Sequence, residues 1–195
     1  IISYKSRFAL RALIPLLFVF SLSISFKVFS DQSRHELLFY SLRKNAAIAY
    51  IHNGEAYLVS DLLNNDKIRT FSIQPALASR GITSIKNIQM AGFFSNEEVK
   101  VSTDFMQFGH FKMIRWNKGM DSLRFTRKVR CDLILLSGNP RINIRRLTDN
   151  VEFPLLLIDA TNPDYKIRKW KEEASVLKIP AYILKNQPAY VLQAN

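Results

Sequence analysis

The side chains that most often do chemistry are sparse in this chain, and their spacing argues against a catalytic or metal site. The histidines, His35, His52 and His110, are scattered singly. None falls in an H-x-H, H-E-x-x-H or H-x-x-x-H pattern, whereas zinc needs three or four converging ligands. The single cysteine, Cys131, opens an apolar run; it is expected to be a buried, inert thiol and leaves no partner for an intramolecular disulfide. No G-x-S-x-G elbow, G-x-x-x-x-G-K-[ST] loop or G-x-G-x-x-G turn occurs. Glu97-Glu98 falls in a polar turn, and Glu172-Glu173 sits among Lys and Arg on a predicted helix, where ion pairing is the expected role. Asp159, at the end of a predicted strand, is the one acid placed where active sites usually put one. Alone, it is expected to form an Asx-type turn or to cap the next helix. The residues therefore assign no catalytic group, no metal ligand and no cofactor.

Positive charge is the other chemical resource. The formal net charge is +12, concentrated between residues 124 and 146 in Arg124, Arg127, Lys128, Arg130, Arg141, Arg145 and Arg146, with Asp132 as the nearby acid. The predicted helix from Lys166 to Lys178 adds Lys166, Arg168, Lys169, Lys171 and Lys178. Such a density attracts polyanions through counterion release, irrespective of sequence. It equally suits a solvated face near anionic lipid headgroups. Arg141, Arg145 and Arg146 are the leading contacts for nucleic acid, because they follow a strand end.

The elements that must hold these residues read as an α/β (α+β) layered sheet. CDLILL (131–136) is a buried-strand candidate ending in the turn Ser137-Gly138-Asn139-Pro140, and 155–158 is another, ending at Asp159. Ile167, Trp170, Ala174 and Leu177 fall at helical spacing after it. Earlier, 37–42, 46–52 and 56–60 read as antiparallel strands, with Asn53-Gly54 as a hairpin turn. The stretch 61–80 reads as polar and irregular, with strands over 82–90 and 99–106. Segments 111–116 and 123–129 read as a hairpin turning at Asn117-Lys118-Gly119. Strands first and βαβ last imply a layered sheet with helices outside.

At the other end, residues 12–26 are uncharged and mostly apolar between Arg11 and Lys27. A membrane span needs roughly 20 residues. Residues 8–29 reach that length if Arg11 and Lys27 snorkel to the two interfaces. A signal peptide or a buried helix are the other readings, but the chain starts at Ile1 without Met and reads as part of something longer. Lys5, Arg7 and Arg11 place the flank 1–7 in the cytoplasm and the domain 30–195 outside. About 165 residues then remain, enough for one domain with a real core.

Taken together, the basic flank, the apolar helix and RHELLFYSLRKNAAIAYIHNGEAYLVSD (34–61) resemble the entry into the C-terminal extracytoplasmic domain of ComEC-type competence proteins. CDLILLSGNPRINIRRL (131–147), LLLIDATNPDYKIRKWKEEASVLKIPAYIL (155–184) and PAYVLQAN (188–195) are similar to it too, in the Bacteroidota-like form. The resemblance implies a metallo-β-lactamase-like fold and a channel that takes up single-stranded DNA across the inner membrane. It also implies partners: single-stranded DNA, the remainder of the membrane channel, and the lipid bilayer through the N-terminal helix. Active members of that fold carry a G-x-G-D turn, a D-x-G strand end, an H-x-H-x-D-H motif and an H-H-G turn. Here the matching places read Arg43-Lys44-Asn45-Ala46, Asp61-Leu62-Leu63, no counterpart between Ile82 and Asp104, and Ser137-Gly138-Asn139. Only Asp61 survives in kind, and hydrolysis by this fold needs metal-bound water. The expectation is a degenerate, metal-free domain on the periplasmic side of the inner membrane, with Arg124 to Arg146 guiding DNA. The rival expectations are a metal-dependent hydrolase or nuclease with an atypical site around Asp61 and Asp159, and a non-catalytic envelope scaffold.

Overall fold

Side-chain alternation sorts nearly every strand into two apolar faces, and this decides the architecture. In the computed structural model, which describes residues 13–23, 25, 35–62 and 66–193, strands β1 (Glu36–Tyr40), β2 (Ala47–His52) and β3 (Glu55–Ser60) are buried on both sides. Leu37, Phe39, Ile48, Tyr50, Tyr57 and Val59 point into one core. Their neighbours Leu38, Tyr40, Ala49, Ile51, Ala56 and Leu58 point into another. A period of two with apolar residues at every position requires cover on both faces.

That cover is a second sheet on one side and helix on the other. The first sheet has the order β14-β1-β2-β3-β4, with β4 at Ser84–Gln89 and β14 at Tyr190–Gln193. Its outer face is closed by Ile73 and Leu77, from a π-helical turn (Arg69–Ile73) running into α1 (Gln74–Ala78). The stretch expected to be irregular thus contains helix; Pro75 at the first turn and the short length hid it.

The second sheet has seven strands, in the order β13-β12-β10-β8-β7-β6-β5. They are β5 (Phe94–Ser95), β6 (Val99–Val101), β7 (Phe105–Phe108), β8 (Phe111–Trp116), β10 (Leu133–Leu136), β12 (Leu156–Ile158) and β13 (Ala181–Ile183). β8, β10, β12 and β13 run parallel, and β5 to β8 form an antiparallel meander. Val99, Met106, Met113, Leu133, Leu135 and Leu157 meet the first sheet. On the outer face, Ile114, Ile134, Leu136, Leu156 and Ile158 meet α2 (Ile144–Asn150) and α3 (Asp164–Val176) through Leu147, Ile167, Trp170 and Ala174. The result is four layers, helix–sheet–sheet–helix.

Two expectations need correction. Residues 99–106 are not one strand but β6 and the start of β7, joined by a turn in which the Ser102 amide donates to the Phe105 carbonyl (2.9 Å). Residues 123–129 do not pair with β8. Lys118–Ser122 is a 3-10 turn, and Val129–Arg130 (β9) pairs instead with Val151–Glu152 (β11).

The flank 1–7 lies outside the described residues, as do residues 8–12, 24 and 26–29 of the expected membrane helix, 8–29. Of that helix, residues 13–23 and 25 are helical, and Leu13, Ile14, Leu16, Leu17, Phe18, Val19, Phe20 and Leu22 are all exposed. Among the described residues, no helix is long and apolar enough to cross a membrane.

Candidate nucleic-acid interface at the parallel strand ends

The ends of β8, β10, β12 and β13 are tied into one hydrogen-bonded lattice. The amide of Ser137 donates to Trp116 O (3.0 Å), that of Asp159 to Leu136 O (3.1 Å) and that of Leu184 to Ile158 O (2.9 Å). After β10 the chain reverses through Gly138 and Asn139, both in the left-handed region (φ 68° and 62°), which glycine and asparagine tolerate best. The freed amides of this turn are caught by the next strand end. Gly138 N donates to Thr161 Oγ1 (2.8 Å) and Asn139 N to Asn162 Oδ1 (3.0 Å). The Asn162 amide in turn donates to Leu136 O (2.8 Å) and Asp159 Oδ1 (3.0 Å). Asp159 Oδ1 also accepts from the Thr161 amide (3.0 Å) and the Thr161 hydroxyl. The Asx-type turn expected of Asp159 is present.

Asp159 is 3% exposed. Burial pushes its carboxyl above the usual carboxylate range, opposed by the Thr161 bonds, the nearby Ser137 hydroxyl and the Arg115 charge. Oδ2 is buried and has no hydrogen-bond partner among the described residues. For an acid shifted this way, the folded state holds its proton longer than the unfolded chain. Stability therefore falls as pH rises from the ordinary carboxylate range toward the raised folded value. Asp159→Asn keeps an acceptor at Oδ1 and removes the titration. In urea unfolding over a pH series, the wild type is expected to lose stability relative to Asp159→Asn as pH rises. Parallel pH profiles would show that the carboxylate is as comfortable folded as unfolded.

The metal pair implied for active members of the related fold does not fit these residues. Ser137, Gly138 and Asn139 offer a hydroxyl, a glycine and an amide rather than histidines, and Asp159 Oδ1 already accepts from Thr161 and Asn162. Asp61 accepts from the Ala46 amide (3.0 Å) and lines a different cleft with Arg69 and Gln89. Among the described residues, no three His, Cys, Asp or Glu side chains converge as a metal site. Cys131 is buried, its thiol pushed up to about 11 chiefly by burial. The scattered histidines hold one surprise. His35 and His52, 17 residues apart, approach Nδ1 to Nδ1 at 2.8 Å. The pairing of Glu36 with Ile51 brings them opposite one another.

The seven candidate cations are all exposed, and none forms an ion pair among the described residues. They do not share one surface. Arg141 stands on the strand-end turn, in the electrostatic neighbourhood of Lys118, Lys166 and Lys169. Its loop is pinned from several sides. The Arg141 amide donates to Asp121 Oδ2 (2.7 Å), Lys166 Nζ to Pro140 O (2.7 Å) and Trp170 Nε1 to Ile142 O (2.8 Å). Arg146 reaches Asp121 O (3.4 Å), and Arg145 borders a groove with Glu172 and Glu173. Arg130 lies elsewhere, beside Lys100 and Lys112. The nearest acid to the Arg141 loop is thus Asp121; Asp132 accepts from the Lys112 amide instead (2.8 Å).

A further cationic cleft of about 910 Å³, with no local signature in the sequence, lies beside the lattice, lined by Arg43, Lys44 and Lys185 with Thr161, Asn162 and Gln187. It joins the end of β1 to the ends of β12 and β13. Lys185 there pairs with Asp164 (2.7 Å), while Arg43 and Lys44 are exposed.

The Bacillus subtilis metallo-β-lactamase fold protein YhfI is similar in structure, with a TM-score of 0.46 and 9% identity, covering 83% of this chain and 100% of that one. No curated protein matches the sequence. A family model for the ComEC C-terminal domain matches residues 37–194, which span both sheets and both helical layers. The chain therefore belongs to the ComEC C-terminal domain family.

Proposed function

We propose that this chain is the terminal membrane helix and extracytoplasmic domain of a competence protein, and that the domain guides single-stranded DNA toward the channel without cleaving it. The carrying observation is the strand-end turn. Its polar groups are occupied by Asp159, Thr161 and Asn162, and it carries the exposed Arg141 in a neighbourhood where Arg141, Lys118, Lys166 and Lys169 outnumber the one acid, Asp121. Such a surface suits phosphate groups. The family's setting, DNA uptake in competence, supplies the polyanion. The exposed apolar side chains of residues 13–22 support a helix that rests in lipid or against the rest of the channel, with the domain on the periplasmic side.

The test is a filter-binding titration of the detergent-purified chain with single-stranded DNA at 50–200 mM salt. Binding is expected at low salt, with log K falling linearly as log salt rises. Absence of binding at low salt would leave the envelope scaffold. Stoichiometric zinc or manganese together with strand cleavage would overturn the non-catalytic reading.

A further inference from the structure

We infer that the outer face of β5–β8 is a cleft for single-stranded nucleic acid, stacking unpaired bases on Phe93 and Phe105 and holding phosphates on Lys100, Lys112 and Arg130. This rests on the DNA-guiding reading above and adds a place and a base-stacking mode of binding to it.

The strand register builds the face. Ser95 pairs with Lys100, Lys100 with Gln107 and Gln107 with Lys112, so these residues form one cross-strand row. The adjacent row, two residues along each strand, carries Phe93, Ser102, Phe105 and Ile114, with Phe105 directly opposite Ile114. A cationic row thus runs beside an aromatic one, about 7 Å away by strand geometry. The helical layer of this sheet packs on the outer side chains of β8, β10 and β12, and none of its apolar contacts comes from β5, β6 or β7. Among the described residues no helix covers this part of the sheet. Phe93 is 84% exposed and Phe105 43%.

The two rows and β9 enclose a cleft of about 310 Å³, closed at one side by Val129 and Arg130. Phe105 is held edge-on by Phe125 (6.5 Å between centroids), which is in turn held by Trp116 (6.3 Å). The ring is therefore positioned before any ligand arrives. Lys100, Lys112 and Arg130 form no ion pair among the described residues.

Cations alone would suit any polyanion. The phenylalanines narrow the choice, because a base offers its face only when unpaired, and sequence-tolerant stacking beside a basic track is how single strands are bound. A lipid interface is the competing surface, but it favours the polar-tipped Trp and Tyr and a flat or convex face over a cleft lined by Phe.

The test uses the full chain in detergent and fluorescence anisotropy with labelled oligo(dT) and a duplex of equal length. Phe93→Ala/Phe105→Ala is expected to weaken oligo(dT) about tenfold or more, leaving duplex affinity and the salt slope unchanged. Phe105→Leu, which keeps apolar bulk without the ring, reproduces part of the loss and guards against a folding effect. Lys100→Gln/Lys112→Gln is expected to lower the single-strand salt slope by about 1.4. Unchanged oligo(dT) affinity in the double Phe variant overturns the inference, as does an equal loss for duplex. Loss of binding to anionic vesicles with DNA binding intact would assign the face to lipid. If the wild type binds no DNA, the guiding reading fails as well. If it binds and only the Arg141 loop variants weaken it, this inference alone fails.

Discussion

Trp170→Ala is expected to lower stability by about 3–5 kcal/mol, with a fall in melting temperature on the order of 10 °C. Trp170 is 1% exposed and lies at the centre of the α3 face formed with Ile167 and Ala174. That helix closes the outer side of the parallel strands, so removing the indole leaves a cavity that backbone on both sides resists filling. The indole also donates to Ile142 O (2.8 Å), and Lys166, placed over its ring at 5.8 Å, donates to Pro140 O. The basic loop is thus positioned through Trp170. Trp170→Phe separates the two roles: most apolar burial returns, while the Ile142 carbonyl loses its donor, at about 1–2 kcal/mol. The Phe variant should therefore fold and still bind DNA more weakly than wild type, because Arg141 is less restrained. Thermal melts of both variants check the first effect and anisotropy of the Phe variant the second. A loss below about 1 kcal/mol for Trp170→Ala would mean α3 is not seated as described.

The parts legible in the sequence were those dictated by local patterning. Leu133–Leu136 is apolar at every position because one face meets the other sheet and the other face meets α3. The hairpin at Asn53-Gly54 was legible because both residues take positive φ (51° and 77°), as the tight turn requires. Residues 123–129 misled for a physical reason. Leu123, Phe125 and Val129 follow a strand-like period, but β8 already has β7 on one side and β10 on the other. With no edge free, the segment packs Phe125 against Phe105 and Trp116 as a loop and pairs only at its end with β11. The His35–His52 contact and the Arg43–Lys44–Lys185 cleft depend on register and on how the two sheets close, and neither leaves a local mark. The cation list was blind to place, since charge spacing along a chain says nothing of which layer each residue joins.

Reversing Arg141, Arg145 and Arg146 together to Glu is expected to reduce single-strand affinity at 50 mM salt at least tenfold and to lower the salt slope by about two, at roughly 0.7 per lost phosphate contact. The three should not contribute equally. Arg141, with Lys118 and Lys169, acts on Lys166, whose amine is held below its ordinary value by burial first and by these cations, against the opposing charge of Asp121. Arg146 leans on Asp121 O and is partly committed to it (3.4 Å). Arg145 faces Glu172 and Glu173 across their groove, and Glu173 is itself bound to the Ile144 amide (2.7 Å). The expected order of single reversals is Arg141, then Arg146, then Arg145. Because phosphates position without specifying, the loss should be uniform across oligonucleotide sequences. A uniform order would point to net charge acting at a distance. In that case Arg124→Glu/Arg127→Glu/Lys128→Glu, which leaves the strand-end turn untouched, would weaken binding just as much. A larger effect at Arg141 than in that triple variant places the phosphate track on the turn that follows β10, where the Asp159 lattice holds it rigid before DNA arrives.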